Sequence, residues 1–211
     1  MTATVTKANS EAYKTGDAAV IAARMASDAP RVEAIPDDKG GYFKDGSHIC
    51  RVERLPWTPF LLPGSIFRLL EVDWKHDMYV MMLIVPGGVP VDMHYHIAEA
   101  SGYIFTGEPA RAFEYEYGKV FAGEYIGEGE DIEHSAIIGS EDVKQLSIIF
   151  GGLTGALPGG GPDLSTYFGC KEVYELAKAD GGTDHIAPPP EGWVSPHLEE
   201  AKRKYGHLQK K

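Results

Sequence analysis

The chain has 211 residues, 43% of them hydrophobic, which suits one domain with a real core plus short extensions. Its 31 acidic residues against 20 basic ones give a net charge of −11, which argues against a nucleic-acid or anionic-membrane surface, since both need clustered cations. Cys50 and Cys170 stand far apart with no Cys-x-x-Cys pairing, so buried thiols in a reducing, cytoplasmic setting are expected rather than disulfides or a thiolate metal site.

Residues 1–16 are polar and irregular. Asp17 suits the N-cap of a short helix over Ala18–Ser27, which stops before Pro30; its apolar patch Ala18–Ala23 is bracketed by charges and too short for a secretory or membrane segment. From Asp37 onward the texture changes to β-type runs broken by turn residues: His48–Leu55, Ser65–Asp73 and Met78–Val85, separated by Pro56, Pro63-Gly64 and Trp74–Asp77. Further runs follow at Tyr103–Phe105, Arg111–Tyr117, Val120–Ile126, Ser135–Ile138 and Val143–Phe150. Strands at this spacing predict an all-β core closed into a barrel or jelly roll.

Gly151–Pro162 holds six glycines and two prolines in twelve residues and reads as a loop without regular structure, either a lid, a partner contact or a plain linker. Cys170–Ala179 has helical spacing, and Pro196–Tyr205 starts with proline and collects cations in its last turn, as a surface helix should. The organisation expected is an N-terminal extension with one helix (1–40), a barrel (41–152), and a Gly/Pro-rich loop with a C-terminal helical extension (153–211). His48, His76, His185, His197 and His207 are expected to face solvent.

The chemistry concentrates in Gly88-Val-Pro-Val-Asp-Met-His94-Tyr-His96, where two imidazoles stand two residues apart. In an extended strand, residues i and i+2 share a face, so His94 and His96 aim at one point while Met93, Tyr95 and Ile97 pack on the other side. Two imidazoles hold a first-row metal weakly, and His134 is the best third donor.

These segments resemble the cupin superfamily. Its first motif runs glycine, five residues, His-x-His, three or four residues, Glu, six residues, Gly; Gly88, His94, His96 and Gly107 match, but Ala100 and Ser101 stand where the Glu belongs. In the second motif Gly123 and His134 match, while Gly129, Asp131 and Ile138 replace a proline, a glycine and an asparagine. Three histidines without the glutamate resemble the branch with acetylacetone-cleaving dioxygenase, dihydroxyacetophenone dioxygenase and ChrR-like cupin domains. The resemblance spans about 110 residues, from near Gly41 to near Gly152.

It implies a jelly-roll barrel, a mononuclear Fe2+ centre (Zn2+, Ni2+ and Mn2+ being alternatives), a small-molecule substrate with dioxygen, and homo-oligomers. The activity implied is a C–C bond-cleaving dioxygenase acting on a β-diketone or hydroxy-ketone. A metal-dependent isomerase, lyase or hydrolase and a non-catalytic metal-binding cupin are the alternatives. By resemblance Glu128, Arg111 and Tyr103 line the site outside the metal shell. Glu128 would orient a histidine or take an enol proton, Arg111 would hold an anionic oxygen, and Tyr103 would donate a hydrogen bond. Glu99 reaches the metal only if the strand bends after His96, and a regular strand turns it away. Tyr115 and Tyr117 share a face and are candidate substrate contacts.

Overall fold

The computed structural model describes residues 40–42 and 48–210; the helix expected over Ala18–Ser27 lies outside them. A short hairpin, β1 (Gly40–Tyr42) with β2 (His48–Cys50), precedes two six-stranded sheets. The first orders β10 (Tyr125–Glu128), β7 (Ala100–Thr106), β12 (Val143–Phe150), β5 (Met78–Val85), β4 (Ile66–Asp73) and β3 (Thr58–Pro59). The second orders β14 (Pro162–Phe168), β13 (Leu153–Ala156), β6 (Pro90–His96), β11 (Ile132–Ile138), β8 (Phe113–Tyr115) and β9 (Gly118–Val120). All their pairings are antiparallel.

The two sheets bury a shared interior. Alternate residues of β5 (Tyr79, Met81, Leu83, Val85) turn inward to meet Phe67 and Leu69 of β4, Ile104 of β7, Phe113 of β8 and Ile138 of β11. Each such side chain, once fully buried, stabilises the fold by roughly 1.5–3 kcal/mol. The all-β core expected from strand spacing is therefore the one that forms.

Gly151–Pro162 departs from expectation. Five of its six glycines flank a strand that contains the sixth, Gly155: Gly151 donates its N–H to Asp77 O at 2.8 Å, and the Leu157 N–H bonds Gly161 O at 2.8 Å. This strand, β13, pairs with both β6 and β14. Composition detected the chain reversals but not the four residues that pair between them.

Two α-helices follow among the described residues. In α1 (Cys170–Ala179), Cys170, Val173, Tyr174 and Ala177 are buried and extend the core. In α2 (Pro196–Tyr205), Ser195 is the N-cap and accepts the Leu198 N–H at 2.9 Å. Ala201 and Tyr205 pack on Tyr95 and Ile97, the outward face of β6. Asp77, wholly buried with φ 50°, ties this helix down by accepting the Ser195 hydroxyl and, at 2.9 Å, the Nδ1–H of His197.

This wrapping corrects the expectation for three histidines. His185 is buried and bonds the carbonyls of Leu69 and Leu70 at 3.1 and 3.2 Å, with the ring of half-buried His48 stacked 6.0 Å away. His197 is half-buried against Asp77. Their polar sequence neighbours carried no sign that the tail folds back over β4. His76 and His207 are exposed, as expected. No helix among the described residues is long and apolar enough to cross a membrane.

Candidate metal centre

Strand periodicity and register together build the site. β6 and β11 are hydrogen-bonded neighbours, and His134 stands directly opposite His94. Residues paired across an antiparallel ladder place their Cβ atoms about 5 Å apart on one face, which brings the rings together. A bulge between His134 and Ala136 interrupts the ladder beside the imidazole, a device that re-aims side chains near sites. The Nε2 atoms of His94 and His96 are 3.0 Å apart and those of His134 and His96 2.9 Å, with the ligand atoms of all three within 4.8 Å of one another. His96 is 3% and His134 7% exposed. On the other side Tyr95 and Ile97 are buried as expected, whereas Met93 is partly exposed beside the cavity.

The carboxylate missing from the first motif arrives from another strand. In the β10–β7 ladder Glu128 lies opposite Ala100, one of the two positions where the motif carries its glutamate. Its carboxylate oxygens lie 3.5 Å from His96 Nε2 and 3.7 Å from His134 Nε2. Tyr115 donates its hydroxyl to Glu128 Oε1 at 3.1 Å and stacks on His134, with ring centroids 5.2 Å apart and planes 4° from parallel. Three imidazoles from one sheet thus face one carboxylate from the edge of the other.

Burial decides the charge states. It holds His94 below the usual histidine range and pushes His96 to about 3 and His134 to about 4, with mutual repulsion among protonated rings adding to the effect on His96 and His134. Burial raises Glu128 to about 7 despite the opposing Tyr115 hydrogen bond. Burial also raises the Tyr115 hydroxyl, with Glu128 contributing. Near neutral pH the cluster is therefore three neutral imidazoles beside a carboxyl poised to ionise.

The donor set fits a divalent ion. The Nδ1–H of His94 donates to Asp92 O at 2.9 Å, which leaves its Nε2 with a lone pair. The Nδ1 atoms of His96 and His134 are buried with no hydrogen-bond partner among the described residues. Nitrogens bound at about 2.1 Å lie about 3.0 Å apart when they subtend a right angle and about 3.4 Å apart in a tetrahedron. The 3.0 and 2.9 Å separations from His96 are of the size that nitrogens sharing one divalent ion would have.

The rings and Glu128 open onto a cavity of about 380 Å³ walled mainly by apolar side chains, among them Met81, Leu83, Phe113 and Ile126. Gln145 and Ser147 of β12, joined by a 2.8 Å hydrogen bond, interrupt its apolar wall. Sequence reading missed this pair, although their alternation inside an apolar strand was a usable signal. Phe60, Leu61 and Leu62, between β3 and β4, also line the cavity and were missed.

Two proposed site residues lie elsewhere. Tyr103 is 41% exposed, because the period of β7 turns Ala100 and Gly102 inward and Tyr103 and Phe105 outward. Arg111, in the turn before β8, pairs with Glu114 and does not line the cavity. β6 ends at His96 and the chain bends at Ile97 and Ala98, yet Glu99 is exposed and borders an outer cleft with Tyr125 and Phe150. Tyr117 is 69% exposed and stacks on the far side of Tyr115, 5.2 Å away, without lining the cavity.

A two-sheet antiparallel barrel with inward histidines from adjacent strands is the cupin architecture. The chain belongs to the ChrR cupin-like domain family, whose sequence profile matches residues 45–153. Among solved structures it is similar to a candidate acetylacetone dioxygenase from Methylibium petroleiphilum PM1 (17% identity, TM-score 0.54, covering 61% of this chain and 92% of that one). It is also similar to an acetylacetone dioxygenase from Acinetobacter johnsonii (16%, TM-score 0.50, 72% and 93%). An RmlC-like cupin from Ralstonia eutropha JMP134 matches comparably (17%, TM-score 0.52, 64% and 87%). At these identities the likeness establishes the fold alone. No curated protein matches the sequence significantly.

Proposed function

We propose that this protein is a mononuclear non-haem metal oxygenase, Fe(II)-dependent, that cleaves a C–C bond in a neutral β-diketone or hydroxy-ketone of acetophenone-like size. The observation that carries the reading is the convergence of three neutral imidazoles and Glu128 on a cavity whose lining, among the described residues, contains no Lys or Arg. Among the described residues the charged groups of the wall are Asp92 and Glu128, so apart from the ion itself nothing there pairs with an anionic substituent, which suits a substrate that enters neutral. At roughly 30 Å³ per water-sized group, the cavity holds about a dozen non-hydrogen atoms.

His94, His96 and His134 would hold the ion, with Glu128 beside them. A divalent iron there supplies Lewis acidity toward a chelating pair of oxygens and one-electron chemistry with dioxygen. Glu128, poised near neutrality, takes the enol proton of the incoming substrate on a carboxylate oxygen. Tyr115 holds that carboxylate in place, and the apolar walls keep water from the reacting carbons.

Anaerobic iron loading followed by oxygen-uptake assays over a panel of neutral diketones and hydroxyaryl ketones tests the reading. Iron-replete protein that consumes no oxygen with any of them refutes it. Membership of the ChrR cupin-like family supports a second reading, a metal-binding domain without turnover. Tight metal retention and a co-purifying protein partner, with no oxygen uptake, would establish that alternative.

A further inference from the structure

A polar cluster joins the C-terminal helix to the turn between β10 and β11, the strands that carry Glu128 and His134. Tyr205, the last residue of α2, donates its hydroxyl to Asp131 Oδ1 at 2.7 Å. The Tyr95 hydroxyl lies 2.8 Å from that of Tyr205 and 3.2 Å from the same carboxylate oxygen, and Lys204 pairs with Asp131 Oδ2. Asp131 sits three residues after Glu128 and three before His134, and its N–H donates to His96 O at 3.0 Å. Tyr95 occupies the outward position between His94 and His96. One carboxylate is thus tied to every segment that contributes a donor.

The backbone supplies a second observation. Asp131 stands where the second cupin motif has glycine, and it adopts φ 58°, the left-handed region. Aspartate enters that region more readily than most side chains but less readily than glycine, and hydrogen bonds to its carboxylate offset the difference. Those bonds come from Tyr205, Tyr95 and Lys204. Tyr205 lies beyond residues 45–153, the part of the chain that matches the family.

From these contacts we infer that Asp131 and Tyr205 are positioning residues for the imidazole cluster. Helix α2, anchored at its start by Asp77 and at its end by Asp131, sets where the Glu128–His134 loop meets β6. The inference rests on the metal-site reading above and extends the site to a helix outside the family's domain.

Three variants test it: Tyr205→Phe, Asp131→Gly, and Lys202→Ala, an exposed control on the same helix that pairs with Glu199. Asp131→Gly relieves the backbone strain and so should fold. The readouts are Co(II) affinity by chelator competition, the visible spectrum of the Co(II) protein, and amide exchange at position 131 in metal-free protein.

Tyr205→Phe and Asp131→Gly should each weaken Co(II) binding about tenfold, change the spectrum, and speed exchange at position 131. Lys202→Ala should change none of these. Unaltered exchange in both test variants overturns the inference. Faster exchange with unchanged Co(II) affinity and spectrum also overturns it, reducing the cluster to a docking contact. Wild-type protein that takes up no Co(II) sinks the metal reading instead, and faster exchange then still upholds the tie to the imidazole loop.

Discussion

Glu128→Gln separates a buried, ionising carboxyl from an ordinary polar side chain. Burial moves Glu128 from 4.5 to about 7 in the metal-free protein. A raised pKa means that the folded state favours the protonated form, so stability is full below pH 4.5 and is lost as pH rises through 7. Each pH unit between those values is worth about 1.4 kcal/mol, which sets the cost of holding the charge at pH 9 at about 3 kcal/mol. Glutamine keeps the shape and cannot ionise. In chelator-treated protein the variant and the wild type should therefore unfold alike near pH 4.5, while at pH 9 the variant should be more stable by up to about 3 kcal/mol. For a chain of this length that raises Tm by roughly 6–10 °C. His96 and His134 are held low by burial in both proteins, so their acid destabilisation largely cancels in the comparison. Urea titrations from pH 4.5 to 9 measure the difference directly. With saturating Co(II) the gap at pH 9 should close, because the cation offsets the carboxylate. A gap that does not vary with pH in metal-free protein would refute the argument from burial.

Other outcomes follow from the same geometry. His134→Ala should abolish stoichiometric metal uptake, read by elemental analysis, and with it the stabilisation by metal, which amounts to about 2.7 kcal/mol at a metal concentration a hundredfold above Kd. Gly107→Ala places a Cβ 2.7 Å from Ala112 Cβ and should cost about 1–3 kcal/mol in urea unfolding. Gly123→Ala should cost about 1–2 kcal/mol for a different reason, since Gly123 has φ 90° and its Cβ would meet nothing within 4 Å. Arg111→Ala, outside the cavity, should leave metal affinity and any oxygen uptake at wild-type values, whereas Tyr115→Phe should lower both by leaving the buried Glu128 carboxylate without its donor.

Much of the framework could be read from the chain. His94 and His96 share a face because strand side chains alternate, a local property that spacing reveals. His134 was legible through its distance from Gly123, and the two C-terminal helices through caps and cation placement. Local pattern gave no physical reason wherever the answer depended on which strand lies beside which. Glu128 reaches the site because β10 pairs with β7 in a register that sets it against Ala100, and no local pattern states that register. The bulge after His134 resets the inward positions of β11, and β13 takes its place between β6 and β14 despite a composition that suggests a loop.

The sequence by itself determined the donor types, their same-face spacing and the all-β class, since these depend on side-chain chemistry and on a two-residue period. Only the tertiary structure decided that the carboxylate comes from the opposite sheet, that the cavity wall is mainly apolar, and that α2 reaches Asp131. Those outcomes depend on pairing between segments that lie far apart along the chain, and that pairing is settled by burying the whole core at once.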